Sequence, residues 1–247
     1  MLARLYHAHH SRHLDDLPFW MELARLQGSP ILELGCGSGR VSLPLVEGGY
    51  RVVGLDNDPE MLARLREQLS PQTENGLRLL QADMTAFDLG ERFALILLPC
   101  NTYSTHSAEG RAGTLACVRR HLAPGGVFAA SLPNPHLLRR LPRQSDPEVE
   151  DSFPHPLDGE PVQVSSGWVR SAGRLTVTWH YDHLLPDGGV ERLSMQAAHD
   201  LAPAQTYLAE IEAAGLRLVE TYGDFDRSPY TPESPSLIIT AALPDPA

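Results

Sequence analysis

Three features of this chain bring together side chains able to bind or transform a small ligand. The first is a glycine-rich run, Glu33-Leu34-Gly35-Cys36-Gly37-Ser38-Gly39. Glycines at alternate positions allow a tight turn and let the backbone approach a ligand with no side chain between them. Amides at the start of a following helix would then face that ligand. The second feature is a pair of aspartates, Asp56 and Asp83, each placed after a short apolar run. A carboxylate at the first place can accept both hydrogen bonds of a ribose diol, and one at the second can take the exocyclic amine of adenine. The third is the cluster His7-x-His9-His10-x-x-His13. His9 and His13 stand one helical turn apart, a spacing that can hold zinc. No cysteine or carboxylate pattern beside them completes a site, although Asp15 and Asp16 follow. The cluster therefore reads as part of a mobile N-terminal lid, and no metal is assigned.

These residues need elements to position them. Ile31 to Leu34 reads as a strand running into the glycine turn, and Arg40 to Gly48 as the helix after it, stopped by Gly48-Gly49. Arg51–Leu55 is a second strand, followed by a helix from Pro59 to Leu69 with proline at its favoured early position. Strands follow at Leu77–Leu80 and at Phe93–Leu98, the latter apolar throughout as in a strand buried on both faces. A helix from Ala108 to His121 leads to a fifth strand, Gly126–Leu132. Strand and helix in alternation imply a parallel sheet with right-handed crossovers. Proline and charge dominate from Asn134 to Pro161, which reads as a loop. Three β-like runs, 162–170, 174–185 and 190–198, are joined by short turns as in an antiparallel meander. A helix over Ala204–Ala214, a strand over Leu216–Tyr222 and a closing strand over Ser236–Ala242 complete the order.

Composition limits the partners. The 247 residues, 42% hydrophobic and 21% charged, suffice for one large domain or two unequal ones. Twenty Lys and Arg against 31 Asp and Glu give a net charge of −11, and a nucleic-acid binder would normally present a basic surface. The one dense basic stretch, Arg139-Arg140-Leu141-Pro142-Arg143, is short. No apolar run is long enough to cross a membrane and the N-terminus lacks a signal-peptide pattern, so a cytoplasmic location is expected. Cys36, Cys100 and Cys117 are widely spaced and odd in number, and read as reduced thiols.

In unbroken order, Glu33-x-Gly35-x-Gly37-x-Gly39, Asp56, Ala82-Asp83 and Leu122-Ala123-Pro124-Gly125-Gly126 resemble the successive motifs of class I S-adenosylmethionine-dependent methyltransferases. The match covers about residues 30–133 and extends through the last helix and strand pair to about Ala242. The resemblance implies an α/β fold: a Rossmann-like, mostly parallel sheet of seven strands with helices on both faces, the last strand antiparallel. It also implies a small antiparallel β insertion between strand five and the last helix. By resemblance, Gly35, Gly37 and Gly39 pass under the methionine moiety of S-adenosyl-L-methionine, Asp56 binds its ribose, and Asp83 and Met84 flank adenine. Leu98, Pro99 and Asn101 border the methionine end, Glu33 acts through a water or the cofactor's amino group, and Cys36, Asn57 and Met61 join the same set. A dinucleotide site would instead want Gly-x-Gly-x-x-Gly. Counting from Gly35 its last place holds Arg40, and counting from Gly37 it holds Ser42.

Pro99-Cys100-Asn101-Thr102-Tyr103 is similar to the Asn-Ser-aromatic segment of glycine- and sugar-amine-type N-methyltransferases, a group in which an N-terminal tyrosine folds over the cofactor. Tyr6, with Trp20 behind it, stands in the corresponding upstream segment. The substrate-pocket candidates are Tyr6, His10, Asn101, Tyr103 and His106, with His180 and Tyr181 of the insertion behind them. Tyr230 and Phe225 are rim candidates. The expected organisation is a helical lid over 1–28, a cofactor-binding domain over 29–134 and 201–247, and a β-rich insertion over 135–200 serving as substrate lid or dimer element. The expected activity is methyl transfer to a nitrogen or oxygen of a small molecule by a monomer or homodimer, with no nucleic-acid or membrane partner. The alternatives are a cofactor-binding regulatory protein of the same fold and an NAD(P)-dependent oxidoreductase.

Overall fold

The most apolar strand of the chain lies where a two-sided burial demands it, in the interior of a seven-stranded sheet. In the computed structural model, which describes residues 1–71 and 73–245, two N-terminal helices, α1 (Leu2–His10) and α2 (Leu17–Gln27), precede the sheet. There follow β1 (Ile31–Leu34), α3 (Ser42–Glu47), β2 (Val52–Asp56), α4 (Pro59–Arg66), β3 (Leu77–Gln81), β4 (Phe93–Leu98), α5 (Ala108–His121) and β5 (Leu122–Pro133). After α6 (Pro135–Arg140) come β6 (Glu148–Pro154), β7 (Pro161–Arg170), β8 (Arg174–Leu184) and β9 (Val190–Asp200). The chain then returns through α7 (Ala204–Ala213), β10 (Arg217–Tyr222) and β11 (Ser236–Ala242).

The strand order is β10-β11-β5-β4-β1-β2-β3, with β11 antiparallel to both its neighbours and the other pairings parallel. Successive side chains of each strand feed opposite faces. Leu32, Leu34, Ile96 and Leu98 pack with Leu115 and Val118 of α5 and with Tyr207 and Ile211 of α7. Ile31, Val52, Leu95 and Leu97 pack with Phe19, Trp20 and Leu23 of α2 and with Leu62 and Leu65 of α4. The order reverses between β1 and β4, which opens a crevice at the carboxyl ends of those strands, where ligands of open α/β sheets bind. Among the described residues no helix is long and apolar enough to cross a membrane.

The segment expected to be a loop, 134–161, holds one helix and one strand. Asn134 caps α6 by accepting from the His136 amide at 2.9 Å, and Pro135 takes the first turn, where a missing N–H costs nothing. β6 adds a fourth strand to the insertion sheet, ordered β6-β7-β8-β9 and antiparallel throughout. Its sequence, Glu148-Val149-Glu150-Asp151-Ser152-Phe153, buries only Phe153. Charge on an edge strand discourages pairing with other chains and hides the two-residue periodicity. Three further boundaries move inward or outward. α3 starts at Ser42 rather than Arg40, α4 stops at Arg66, and β5 begins at Leu122, where its pairing with β4 shifts register before Val127.

Candidate functional site

A cavity of about 830 Å³ opens over the carboxyl ends of β1 to β4. Its floor is the glycine turn. Gly37 has φ of +53°, and a Cβ added there would project into open space, so the turn presents bare backbone to the cavity. Gly39 serves a different purpose from the one its motif suggests. It does not line the cavity, and an added Cβ would lie 2.2 Å from Leu65 Cδ1, so this glycine lets the turn pack on α4.

Acids ring the floor. Glu33, only 2% exposed, touches the cavity from β1 and accepts from the Ser42 hydroxyl, while burial pushes its carboxyl up to about 8. Asp56 at the end of β2 accepts from the Gly37 amide at 2.7 Å and the Asp58 amide at 2.9 Å. Its own burial outweighs those bonds and raises its pKa. Asp83 is exposed beyond β3, and two hydrogen bonds from Thr85 at 2.8 Å hold it below the ordinary carboxylate range. Asp58 caps α4 through the Glu60 amide at 2.8 Å. Cys36, Asn57, Met61, Met84 and Asn101 all line the same cavity.

Arg40 is the one cation among the cavity-lining residues, and it is already engaged. Its guanidinium donates to both Asp16 oxygens at 2.5 and 2.6 Å, to the His13 carbonyl at 2.8 Å and to Cys100 Sγ at 2.9 Å. Asp16 also accepts from Trp20 Nε1 at 2.8 Å. With Asp16 paired to Arg40 and Glu33 kept protonated near pH 7 by burial, Asp15, Asp56, Asp58 and Asp83 set the sign of the cavity's field. Such a cavity favours a cation and offers a pyrophosphate nothing. Nothing in the sequence marked Arg40 or Asp16, since their pairing spans 24 residues.

Of the pocket candidates, Tyr6, His10, Asn101 and His106 line the cavity. Tyr6 lies edge-on to His10 with ring centroids 4.0 Å apart, on the helix α1 that covers the opening. That helix is fastened to the glycine turn by His7 Nδ1 and Ser38 Oγ at 3.0 Å, a contact the sequence did not reveal. Burial lowers both His10, to about 3, and His106, so these rings are neutral near pH 7. Asn101 and the preceding Cys100 both have positive φ, +63° and +61°. Asparagine tolerates this region, and such strain concentrates at functional sites.

Several expectations fail on position. Tyr103 is buried beneath the short turn Thr102–Thr105, with its ring 5.9 Å from that of Tyr207, and does not reach the cavity. Leu98 is core and Pro99 does not line the cavity either. His180 points to the opposite face of the insertion sheet, where it meets Ser194 at 2.7 Å. Tyr181 is covered by α1, 3.3 Å from His9. The Tyr230 hydroxyl donates to Asn134 and lies outside the cavity lining, whereas Phe225 is part of it. What the insertion does contribute is a wall: Leu175, Val177 and Trp179 from β8, with Met195, Ala197 and His199 from β9. Their alternation along each strand was a legible signal for one shared face. Ser104 fixes the His199 ring at 2.9 Å.

Residues 31–126 match the family described as a methyltransferase domain. The chain is 31% identical over 196 residues to trans-aconitate 2-methyltransferase of Acidovorax sp. (strain JS42), covering 76% of this chain and 68% of that one. Among solved structures it superposes on the CcbJ methyltransferase from Streptomyces caelestis with a TM-score of 0.78 at 24% identity, covering 94% and 96% of the two chains. An S-adenosylmethionine-dependent methyltransferase from Clostridium acetobutylicum ATCC 824 superposes with a TM-score of 0.80 at 15% identity, covering 98% and 97%. With the glycine turn, the three strand-end acids and the β11 reversal in place, the chain belongs to the class I S-adenosylmethionine-dependent methyltransferases.

Proposed function

We propose that the protein methylates a nitrogen of a small molecule with an apolar body. The observation that carries this reading is the wall of Leu175, Val177, Trp179, Met195 and Ala197 facing the acid-ringed floor, with no free cation in the lining. A macromolecular nucleic acid finds no basic groove there, and a polycarboxylate finds only an arginine that Asp16 already holds. A positively charged amine is drawn in by the same field that suits the cofactor.

When bound, S-adenosylmethionine supplies the methyl group on an already activated sulfonium. The chain's task is then to align the acceptor and exclude water. Gly35 and Gly37 pass beneath the methionine end, and Asp56 accepts from the ribose hydroxyls. Asp83 with Met84 borders adenine, while Asn57 and Met61 close the adenosine side. Glu33 faces the cofactor's ammonium. Tyr6 closes the lid, and the neutral rings of His10 and His106 can accept a hydrogen bond from an amine N–H. In the transfer itself, the amine, having given up its proton to water on entry, would attack with its nitrogen lone pair; the C–S bond would break with its electron pair staying on sulfur, and the methylammonium product would carry its proton out to solvent with S-adenosylhomocysteine. Residues 1–28 act as lid, 29–134 with 201–247 as the cofactor domain, and 135–200 as the substrate cover.

Production of S-adenosylhomocysteine, measured with separate pools of amines, phenols and carboxylates, tests the acceptor. Turnover with amines alone is expected, and turnover confined to carboxylates would overturn the nitrogen assignment. Cofactor binding with no turnover in any pool would favour the regulatory alternative. Asp56→Ala should weaken S-adenosylmethionine binding by about 1–3 kcal/mol in calorimetry, the range for hydrogen bonds to a charged group. Unchanged affinity removes Asp56 from the ribose site. Tyr6→Ala should lower kcat at least about tenfold through lost alignment, with a Tm shift of only a few degrees. A large Tm loss at normal specific activity would make Tyr6 a packing residue.

A further inference from the structure

The histidine cluster of the N-terminal segment finds in the tertiary structure the carboxylate it lacks in sequence. Strand β6 passes beside the end of α1, which brings Asp151 to His9 and His13. One ligand atom from each of these three residues lies within 4.8 Å of the other two. Glu150 stands beside them, its Oε1 3.5 Å from His9 Nε2. The same residues, with His10 and Trp179, line a cleft of about 320 Å³ that adjoins the main cavity and shares His10, His13 and Trp179 with it.

The ring geometry suits convergence. His9 and His13 have centroids 5.6 Å apart and planes at 82°. Two imidazoles bound to one tetrahedral ion through bonds of about 2.0–2.1 Å place their centroids at about this separation. His13 is exposed and lies beyond the last residue of α1, so its ring is free to turn the remaining distance. Among the described residues the competing cation is Arg12, 3.5 Å from Asp151 Oδ1; its guanidinium donates instead to the Ser152 carbonyl at 2.9 Å, and its side chain is 51% exposed.

A second triad, His155, Asp158 and His183, meets the same distance criterion. Its two rings are stacked 3.9 Å apart at 13°. Lone pairs lying in nearly parallel planes do not meet at one ion; in that group Asp158 hydrogen-bonds His155 at 2.9 Å and stands 3.3 Å from His183 Nε2.

We propose that His9, His13 and Asp151 form a site for a divalent transition ion, zinc in the first instance, which fastens the N-terminal helix to the edge strand of the insertion. Two imidazoles and a carboxylate match the borderline softness of zinc, with the fourth position left to water or to Glu150. The bound ion would cross-link the helix that carries Tyr6 and His7 to the sheet that supplies Trp179.

The test uses the full-length, untagged, chelator-stripped protein and zinc chloride alone. Calorimetry should show one equivalent bound, with a change in tryptophan fluorescence because Trp179 lines the cleft. His13→Ala and Asp151→Asn should each weaken binding at least about tenfold, as loss of a direct ligand demands. Asp158→Asn should leave it unchanged. One equivalent of zinc should also raise the Tm of the wild type and not of the two ligand variants. His13 is exposed and Asp151 half-buried, and retained S-adenosylmethionine affinity confirms that each variant folds; His13→Gln replaces His13→Ala should that variant fail. Absence of zinc binding at submillimolar concentration, binding indifferent to both ligand variants, or binding lost only in Asp158→Asn would overturn the site.

Discussion

Replacing the buried Arg111 with leucine is expected to cost the fold about 2–4 kcal/mol, somewhat under the penalty for breaking a fully buried ion pair because Glu210 and Asp200 keep 18% and 26% exposure to water. Arg111 is 1% exposed. Its Nε and Nη2 each donate to Glu210 of α7 at 2.7 Å, and its Nη1 donates to Asp200 at 2.8 Å and to the His106 carbonyl at 2.7 Å. The guanidinium lies over the Tyr207 ring, 4.7 Å from its centroid. One side chain thus joins α5, α7, the end of β9 and the turn that carries His106. Arg111→Lys should recover only part of the loss, because an ammonium cannot bind Glu210 through two parallel bonds. Urea unfolding measures both. A loss under about 1 kcal/mol for the leucine variant would mean that the network contributes no more than an exposed ion pair. The functional consequence follows from the same contacts. Asp200 follows His199, a residue of the insertion wall, so a relaxed network should raise KM for the acceptor more than for the cofactor.

Glu33→Gln should stabilise the cofactor-free protein at alkaline pH while weakening its hold on S-adenosylmethionine. Burial raises this carboxyl to about 8. Between the ordinary carboxylate range and that value the folded chain keeps a proton that the unfolded chain has lost. The associated stability is complete at low pH and disappears as pH rises through about 8. Glutamine is neutral throughout and can still accept from Ser42. The variant should therefore match the wild type near pH 5 and exceed it by about 2–4 kcal/mol near pH 9. Urea unfolding at the two pH values decides it, and a difference that does not change with pH refutes the buried-acid account. The affinity loss has the opposite sign because a cationic ammonium nearby favours the ionised form of Glu33. The cofactor-free protein tolerates a buried acid that its ligand relieves, a stability cost characteristic of binding sites.

The proposed nitrogen acceptor and the acidic cavity belong to one physical picture. The field of Asp15, Asp56, Asp58 and Asp83, with Arg40 neutralised by Asp16, attracts the sulfonium cofactor and any amine substrate alike. The neutral histidines at the mouth neither repel those cations nor supply a strong base. An acceptor whose nitrogen is already deprotonated in part at the working pH suits this site better than an alcohol.

Short-range patterns in the chain were enough to specify the sheet core and its ligand crevice. β4, Phe93–Leu98, and α5, Ala108–His121, stand where hydrophobic run and helical period put them, because their burial depends on residues next to them in sequence. The glycine turn and Asp56 are equally local, a turn and a strand end. The same patterns failed where an element's stability comes from a distant partner. β6 is a charged edge that exists as a strand because β7 pairs with it, and Tyr103 faces the core because Arg111 and Tyr207 hold it there. Arg40 with Asp16, and the His9–His13–Asp151 group across 142 residues, were likewise decided by packing alone. The reason is that side-chain periodicity fixes which face of an element is buried, whereas a charged or polar contact needs atoms within a few ångströms, a separation that only the folded chain sets.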